Sequence, residues 1–328
     1  MAPKKQKSSL AIELSIVIPV YFNAESLKEL YSRLAMTMKK SGSKSWEVIF
    51  VDDASLDASR QILAELQRHS PHVGIIHLLK NSGSPRAIMA GIEMARGRAV
   101  AVIAADLQDP PEMLEEMITR WRKGAQLVMA RRGSRGDDWT TTLLAKSYYW
   151  IFRKLVSKQM PDGGFDVFLA DRAVTESLQQ YSDKNSNLFA NLIWLGFPFE
   201  QIVYRKQSRP FGKSRWTFAK KITYFYDSIL SFTYVPLRAL TLAGIMSVLF
   251  SLAYAGVIVV ARIKYGQSAP GYASIMTTLL FFSGMILMGL GLLGEYVWRI
   301  FDVIRRQPAF VVQSRFAPKI HGKSKNEL

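Results

Sequence analysis

Two short stretches of this sequence carry side chains suited to holding a divalent cation and a nucleoside. One is Ala104-Ala105-Asp106-Leu107-Gln108-Asp109-Pro110-Pro111. Alternate side chains of an extended segment share a side, so an extended loop would let Asp106 and Gln108 reach one point. A carboxylate beside an amide oxygen suits Mg2+ or Mn2+, which take few protein ligands and complete their shells with water and substrate phosphates. The other stretch is Asp52-Asp53-Ala54-Ser55-Leu56-Asp57. Asp52 and Asp53 follow an apolar run, and adjacent carboxylates there are costly without a partner. A nucleoside would be such a partner, through ribose hydroxyls and base N–H groups. Asp57 and Asp109 also read as helix N-caps, the common role of an Asp at a strand end. No G-x-G-x-x-G accompanies these residues, which disfavours a dinucleotide.

The elements that must position them alternate regularly. Strand-like runs at Ser15–Val20, Glu47–Val51, Val73–Leu78, Ala99–Ala104 and Gln126–Ala130 are separated by helical patterns at Glu25–Lys40, Asp57–His69, Pro85–Arg96 and Pro111–Lys123. In the first helix Leu27, Leu30, Leu34 and Met38 fall on one stripe. Strand–helix alternation of this length predicts an α/β fold with a mostly parallel sheet, whose ligands sit at the carboxyl ends of the strands. Polar residues gather at those ends: Tyr21 and Asn23, beyond Pro19, after the first strand, Asp52 and Asp53 after the second, Arg86 beyond the third, Asp106 and Gln108 after the fourth.

The last third has a different composition. Ala239–Ala261 and Tyr265–Gly294 contain no charged residue, and each is longer than the ~20 residues a helix needs to cross a bilayer. The intervening loop carries Arg262 and Lys264, whereas Lys220, Lys221, Arg238, Arg299, Arg305, Arg306 and Arg315 flank the pair. By the positive-inside rule both flanks face the cytoplasm. No N-terminal signal peptide is read in the basic start MAPKKQKSS. The expected organisation is a basic tail (1–12), a cytoplasmic catalytic domain (13–216) with an interfacial helix near 147–158, and a second interfacial helix (217–235). A transmembrane hairpin (236–302, helices about 239–261 and 273–294) and a basic tail (303–328) follow, the tail being disordered or lipid-bound from Ala317. The two interfacial segments mix aromatics with Lys and Arg, as helices in the headgroup region do.

The net charge of +17, from 43 Lys+Arg against 26 Asp+Glu, calls for an anionic partner. A membrane surface accounts for it better than nucleic acid. With no cysteine in the chain, disulfides, thiol catalysis and Cys-ligated zinc are excluded. The four histidines have no metal-ligand spacing.

Taken in order, IPVYFNAESL, VDDASLD, NSGSPRAIMAG, ADLQDPPE, GGFDVFLADR, RPFGKSRWT and GEYVWRIFDVIRRQPAFVV resemble the polyprenyl-phosphate and dolichol-phosphate glycosyltransferases, over about residues 13 to 313. The nearest subgroup is the bactoprenol glucosyltransferases. The resemblance implies an inverting enzyme of GT-A fold in a bacterial inner membrane. It would transfer glucose from UDP-glucose to a polyprenyl phosphate with Mg2+ or Mn2+. Pro19, Tyr21, Asn23, Asp52, Asp53, Arg86 and Asp106 would hold the nucleotide-sugar, and Asp106 and Gln108 the metal. Arg132, Arg135, Arg209, Lys213, Ser214 and Arg215 would meet the diphosphate or the lipid phosphate. Asp166 would bind a sugar hydroxyl or act as base, and homo-oligomers are expected. One departure is Ala104, where many relatives have a further Asp; weaker metal binding would follow. The alternatives are a mannose synthase using GDP-mannose and a non-enzymatic scaffold binding anionic lipid. A processive polysaccharide synthase is disfavoured, because Gly212 stands where a QxxRW motif would have Gln.

Overall fold

The computed structural model describes residues 12–133, 153, 164–181, 187–207, 235–265, 271–305 and 307–320. Two units divide the chain, residues 1–225 with 308–328, and residues 226–307.

The first unit is built on one eight-stranded sheet. Its first half alternates β1 (Leu14–Val20), α1 (Ala24–Lys40), β2 (Trp46–Asp52), α2 (Ser59–His69), β3 (Val73–Leu78), α3 (Ser84–Met94), β4 (Ala99–Val102), α4 (Met113–Arg122) and β5 (Leu127–Arg132). Then come β6 (Phe165–Asp171), α5 (Arg172–Tyr181), α6 (Leu188–Trp194) and β7 (Phe199–Tyr204). The last strand, β8 (Val312–Phe316), follows the second unit. The spatial order is β7-β5-β6-β4-β1-β2-β3-β8. Strands β1 to β4 are mutually parallel, and β5 is parallel to β7. β6 runs antiparallel between β4 and β5, and β8 antiparallel on the edge of β3. The sheet is therefore mostly parallel, as expected, with two antiparallel strands added outside the regular alternation.

The central strands read as continuous apolar runs because both faces are covered. Leu14, Ile16, Ile18 and Val20 of β1 join Leu27, Leu30, Leu34 and Met38 of α1 and Leu114, Met117 and Ile118 of α4 in one core. Val17 points to the opposite face, where Gly91 of α3 comes so close that a Cβ there would lie 2.3 Å from Val17 Cγ1.

The topology places a crevice between β1 and β4, where the strand order reverses. β4 ends at Val102, opposite Val17, and Ile103 N–H still donates to Val17 C=O (3.2 Å). Pro19, two residues on, would aim its missing N–H at that same side. By then β4 has left, so the proline costs the sheet no hydrogen bond.

The second unit holds α7 (Val235–Tyr265) and α8 (Tyr272–Ile304). Within them Leu237–Val260 and Phe281–Ile304 are long and apolar enough to cross a membrane, with no part of either window buried. At ~1.5 Å per residue, 24 residues span about 36 Å, against a hydrocarbon core of ~30 Å. α8 runs ten residues beyond the expected end at 294, carrying Glu295, Arg299 and Asp302. Nothing breaks the helix before Pro308, and Glu295 and Arg299 form an i,i+4 ion pair (3.2 Å).

Of the tail expected from Ala317 to be disordered or lipid-bound, the described residues 317–320 pack beside the sheet. Residues 312–316 form β8, Pro318 is buried against Gly74, and Lys319 N–H donates to Pro71 C=O (2.8 Å). β8 pairs with β3 of its own chain. The segments 147–158 (Arg153 apart) and 217–234 lie outside the described residues.

Candidate active site

The turns after β1, β2 and β4 share an uncommon backbone feature. Phe22, Ala54 and Leu107 have φ of 57°, 58° and 58°, a left-handed conformation that a residue with a side chain adopts at a cost. Each is held there by its surroundings.

The first two turns are sewn together by side-chain acceptors. Phe22 N–H donates to Ser55 Oγ (3.2 Å), Asn23 N–H to Ser59 Oγ (3.2 Å) and Ala24 N–H to Asp57 Oδ2 (3.3 Å). These bonds serve the N–H groups at the start of α1, which have no partner within the helix. Asp57 Oδ1 also accepts the N–H of Ser59, the first residue of α2 (3.1 Å), but the N-cap position falls on Ala58 and carries no side-chain cap. Asn23 Oδ1 accepts Tyr21 N–H (2.9 Å), and the Tyr21 and Phe22 rings meet edge to face.

Asp52 and Asp53 are both buried. Asp52 accepts Ser55 N–H (3.0 Å), Arg60 Nε–H (2.7 Å) and the His77 ring, whose Nδ1 lies 3.0 Å away. Burial pushes its pKa up, but the His77, Ser55 and Arg60 hydrogen bonds outweigh burial and hold it below the usual carboxylate value. Asp53 accepts Ser82 N–H (2.6 Å) and Gly83 N–H (2.8 Å), fixing the loop before α3. Burial nonetheless raises its pKa, and Arg86 is near enough to oppose that rise. The chain itself thus supplies hydrogen-bond partners to both carboxylates. Sequence reasoning missed them because they stand as far as 30 residues away.

The Asp106 loop is also not extended. It turns at Leu107, which is buried, while Asp106 and Gln108 are half-buried. Asp106 Oδ1 accepts Gln108 N–H (3.2 Å). The turn is anchored on two sides. Ser26 Oγ of α1 donates to Ala105 C=O (2.6 Å), and Gln207 N–H, beyond β7, donates to Gln108 C=O (2.8 Å). Asp109 is buried and accepts Tyr204 Oη–H (2.5 Å), so its partner lies on β7 and no side-chain cap of α4 is formed. Burial and the Asp109 charge raise the Tyr204 pKa, keeping the phenol protonated as donor.

At the far side of β4, the β5–β6 pairing shifts register between Ala130 and Arg131. Arg132 pairs there with Asp166, the second residue of β6, and Lys206 Nζ lies 4.0 Å from the same carboxylate oxygen. Lys206 was not foreseen. It stands one residue before Gln207, in the segment that enters RPFGKSRWT.

Of the expected residues, Pro19, Tyr21 and Asn23 flank the crevice on the β1 side, and Asp106 and Gln108 on the β4 side. Arg132 and Asp166 meet one another, and Arg86 stands on α3 near Asp53. Arg135, Arg209, Lys213, Ser214 and Arg215 lie outside the described residues. Among the described residues no three His, Cys, Asp or Glu side chains form a metal-binding group. The donor set of one carboxylate and one amide still fits a hard divalent cation that takes its remaining ligands from water and phosphate.

The family model for glycosyl transferase family 2 matches residues 15–178. The chain is 34% identical over 304 residues to the "Uncharacterized glycosyltransferase sll0501" of Synechocystis sp., covering 92% of this chain and 95% of that one. It is 32% identical over 306 residues to the "Uncharacterized glycosyltransferase YkcC" of Bacillus subtilis, covering 93% and 94%. It is also 28% identical over 305 residues to the SfII prophage-derived bactoprenol glucosyl transferase of Shigella flexneri, covering 92% and 98%. The mostly parallel sheet, with its polar residues gathered at a β1/β4 crevice, has a GT-A-like fold. The chain belongs to glycosyl transferase family 2 and is a glycosyltransferase.

Proposed function

We propose that this enzyme transfers glucose, with inversion, from UDP-glucose to undecaprenyl or another polyprenyl phosphate at the cytoplasmic face of a bacterial inner membrane. The observation that carries the reading is the crevice between β1 and β4. Tyr21 stands on one side, the Asp106–Gln108 turn on the other, and the Arg132–Asp166–Lys206 group beyond β4. The bactoprenol glucosyl transferase likeness runs through both apolar helices and supports a lipid acceptor.

In this reading Pro19, Tyr21 and Asn23 receive the nucleoside. Asp52 and Asp53 hold the loops that shape its pocket, and Arg86 adds charge beside Asp53. Asp106 and Gln108 would hold Mg2+ or Mn2+, which would supply positive charge against the departing diphosphate. The acceptor is a phosphate monoester, already anionic at pH 7 because its second pKa is ~6. The protein therefore needs to position it more than to deprotonate it. Arg132, with Arg135, Arg209, Lys213, Ser214 and Arg215, offers donors to the two phosphate-bearing substrates. Asp166 orients Arg132 and reaches a sugar hydroxyl. In-line attack of the lipid phosphate oxygen on the anomeric carbon forms the new C–O bond as the bond to the diphosphate breaks. UDP-α-glucose would thus give a β-linked product. The two apolar helices would anchor the enzyme as a hairpin with both termini cytoplasmic, in a homo-oligomer.

The test is transfer in detergent with undecaprenyl phosphate, UDP-glucose or GDP-mannose, and Mg2+ or Mn2+, with EDTA as control and mass spectrometry of the lipid. A metal-dependent hexosyl lipid made only from UDP-glucose is expected. Product only from GDP-mannose would replace the donor and keep the mechanism. No product and no nucleotide binding would sink the enzyme reading of this site.

A further inference from the structure

The strand that follows the second apolar helix joins the sheet beside the candidate donor site. β8 lies antiparallel to β3, with Ser314 opposite His77 and a register shift between His77 and Leu78. Just beyond the shift, Leu79 N–H donates to Val311 C=O (2.8 Å). The Phe316 ring meets His77 edge to face at 6.1 Å. His77 in turn reaches Asp52 Oδ2 (3.0 Å), and its side chain is only 12% exposed. The path continues by hydrogen bonds already described. The other Asp52 oxygen accepts Ser55 N–H (3.0 Å), and Ser55 Oγ accepts Phe22 N–H (3.2 Å). Phe22 has positive φ and its ring packs on Tyr21 at 4.7 Å. A left-handed non-glycine residue persists only where its surroundings over-determine it. The Asp52–Ser55 relay is one of the restraints on Phe22.

We infer that His77 and Phe316 are positioning residues for the donor site. Phe316, on the strand after the hairpin, orients His77. His77 holds Asp52, and through Ser55 the backbone at Phe22, in the geometry that presents Tyr21 to the nucleoside. The inference rests on the donor reading above, and it gives the C-terminal segment a part in nucleotide recognition as well as in closing the sheet edge. Arg60, the other side chain on Asp52, sits on α2 at Nε–Oδ2 2.7 Å and keeps the carboxylate paired when His77 is changed.

The experiment uses the full chain in detergent, with UDP binding by calorimetry, steady-state kinetics and a melting curve for each variant. His77→Ala should weaken UDP binding about tenfold, equivalent to ~1.4 kcal/mol. The KM for UDP-glucose should rise in parallel while kcat at saturation holds, the pattern of lost ground-state binding. His77→Asn can donate to Asp52 from the Nδ1 position and should return the affinity to within about threefold, since that hydrogen bond is restored. Phe316→Ala should fall between the two. Tyr21→Ala is the control for the donor reading. If it leaves UDP affinity unchanged, the donor reading fails and this inference with it. If Tyr21→Ala weakens binding but His77→Ala does not, only the positioning role is overturned. Equal losses in His77→Ala and His77→Asn, matched by equal drops in melting temperature, would reduce His77 to a structural residue and overturn it too.

Discussion

Removing the Tyr204 hydroxyl tests how the β4–α4 turn is held. In Tyr204→Phe the ring and its packing remain, while the donor to Asp109 is lost together with the hydroxyl's hydrogen bond to Arg132. The bond is 2.5 Å long, with both residues below a tenth exposed, so water cannot readily replace it. Hydrogen bonds to charged groups are worth ~1.5–3 kcal/mol, and a buried acceptor left unpaired forfeits its full desolvation cost. A loss of about 2 kcal/mol follows, which for a domain of about 200 residues lowers the melting temperature by about 4–8 °C. Fluorescence-detected melting at one fixed scan rate would measure it, using the seven tryptophans. Asp109→Asn and the double variant complete the cycle, and their coupling should exceed ~0.5 kcal/mol, the range expected of independent sites. Because the bond ties β7 to the turn carrying Asp106 and Gln108, kcat should fall as well. An unchanged melting temperature and additive single effects would refute the claim that Tyr204 holds this turn.

Other substitutions probe the rest of the site and its frame. Asp106→Ala should abolish transfer without lowering the melting temperature, and retained turnover would remove Asp106 from the machinery. Gly91→Ala should destabilise the fold by roughly 1–3 kcal/mol, the usual cost of overpacking, because the new Cβ would lie 2.3 Å from Val17 Cγ1 and 3.1 Å from Val51 Cγ2. Val17→Ala in the same chain should recover part of that loss in a denaturant titration. Asp52 has a folded-state pKa below its unfolded value, so its stabilisation is present above the unfolded pKa and is lost as pH falls through the folded one. Asp52→Asn should therefore flatten the acid limb of the stability–pH curve. Asp53, with its pKa raised, has the opposite sign, and an unchanged acid limb in Asp52→Asn would refute the assignment.

The alternating half of the fold was legible because its signals are local. Apolar runs bounded by polar turns gave β1 to β5 within a few residues, and the leucine stripe of α1 faces the core as expected. The later strands were missed for a physical reason. β7 (FEQIVY) exposes three of its six residues and β8 (VQSRF) lies on an edge, so neither reads as a buried run. β6 is well buried, but it pairs only with strands distant in sequence, and its role depends on a register shift that no local pattern encodes. The site shows the same division. Residue types at strand ends pointed to Asp106 and Gln108, because a parallel sheet gathers its polar groups there, whereas Arg132 and Asp166 came only from the family resemblance. What each carboxylate does was not legible. An acid on a sequence page is read as awaiting a ligand, yet Asp52, Asp53 and Asp109 find their partners in Arg60 and His77, in Ser82 and Gly83, and in Tyr204. Those buried acids fix the turns, and the half-buried Asp106 is carried at the crevice on a turn so fixed. Mutating the inner acids should therefore cost stability first, and mutating Asp106 should cost turnover alone. That split can be read by measuring both quantities on the same four variants.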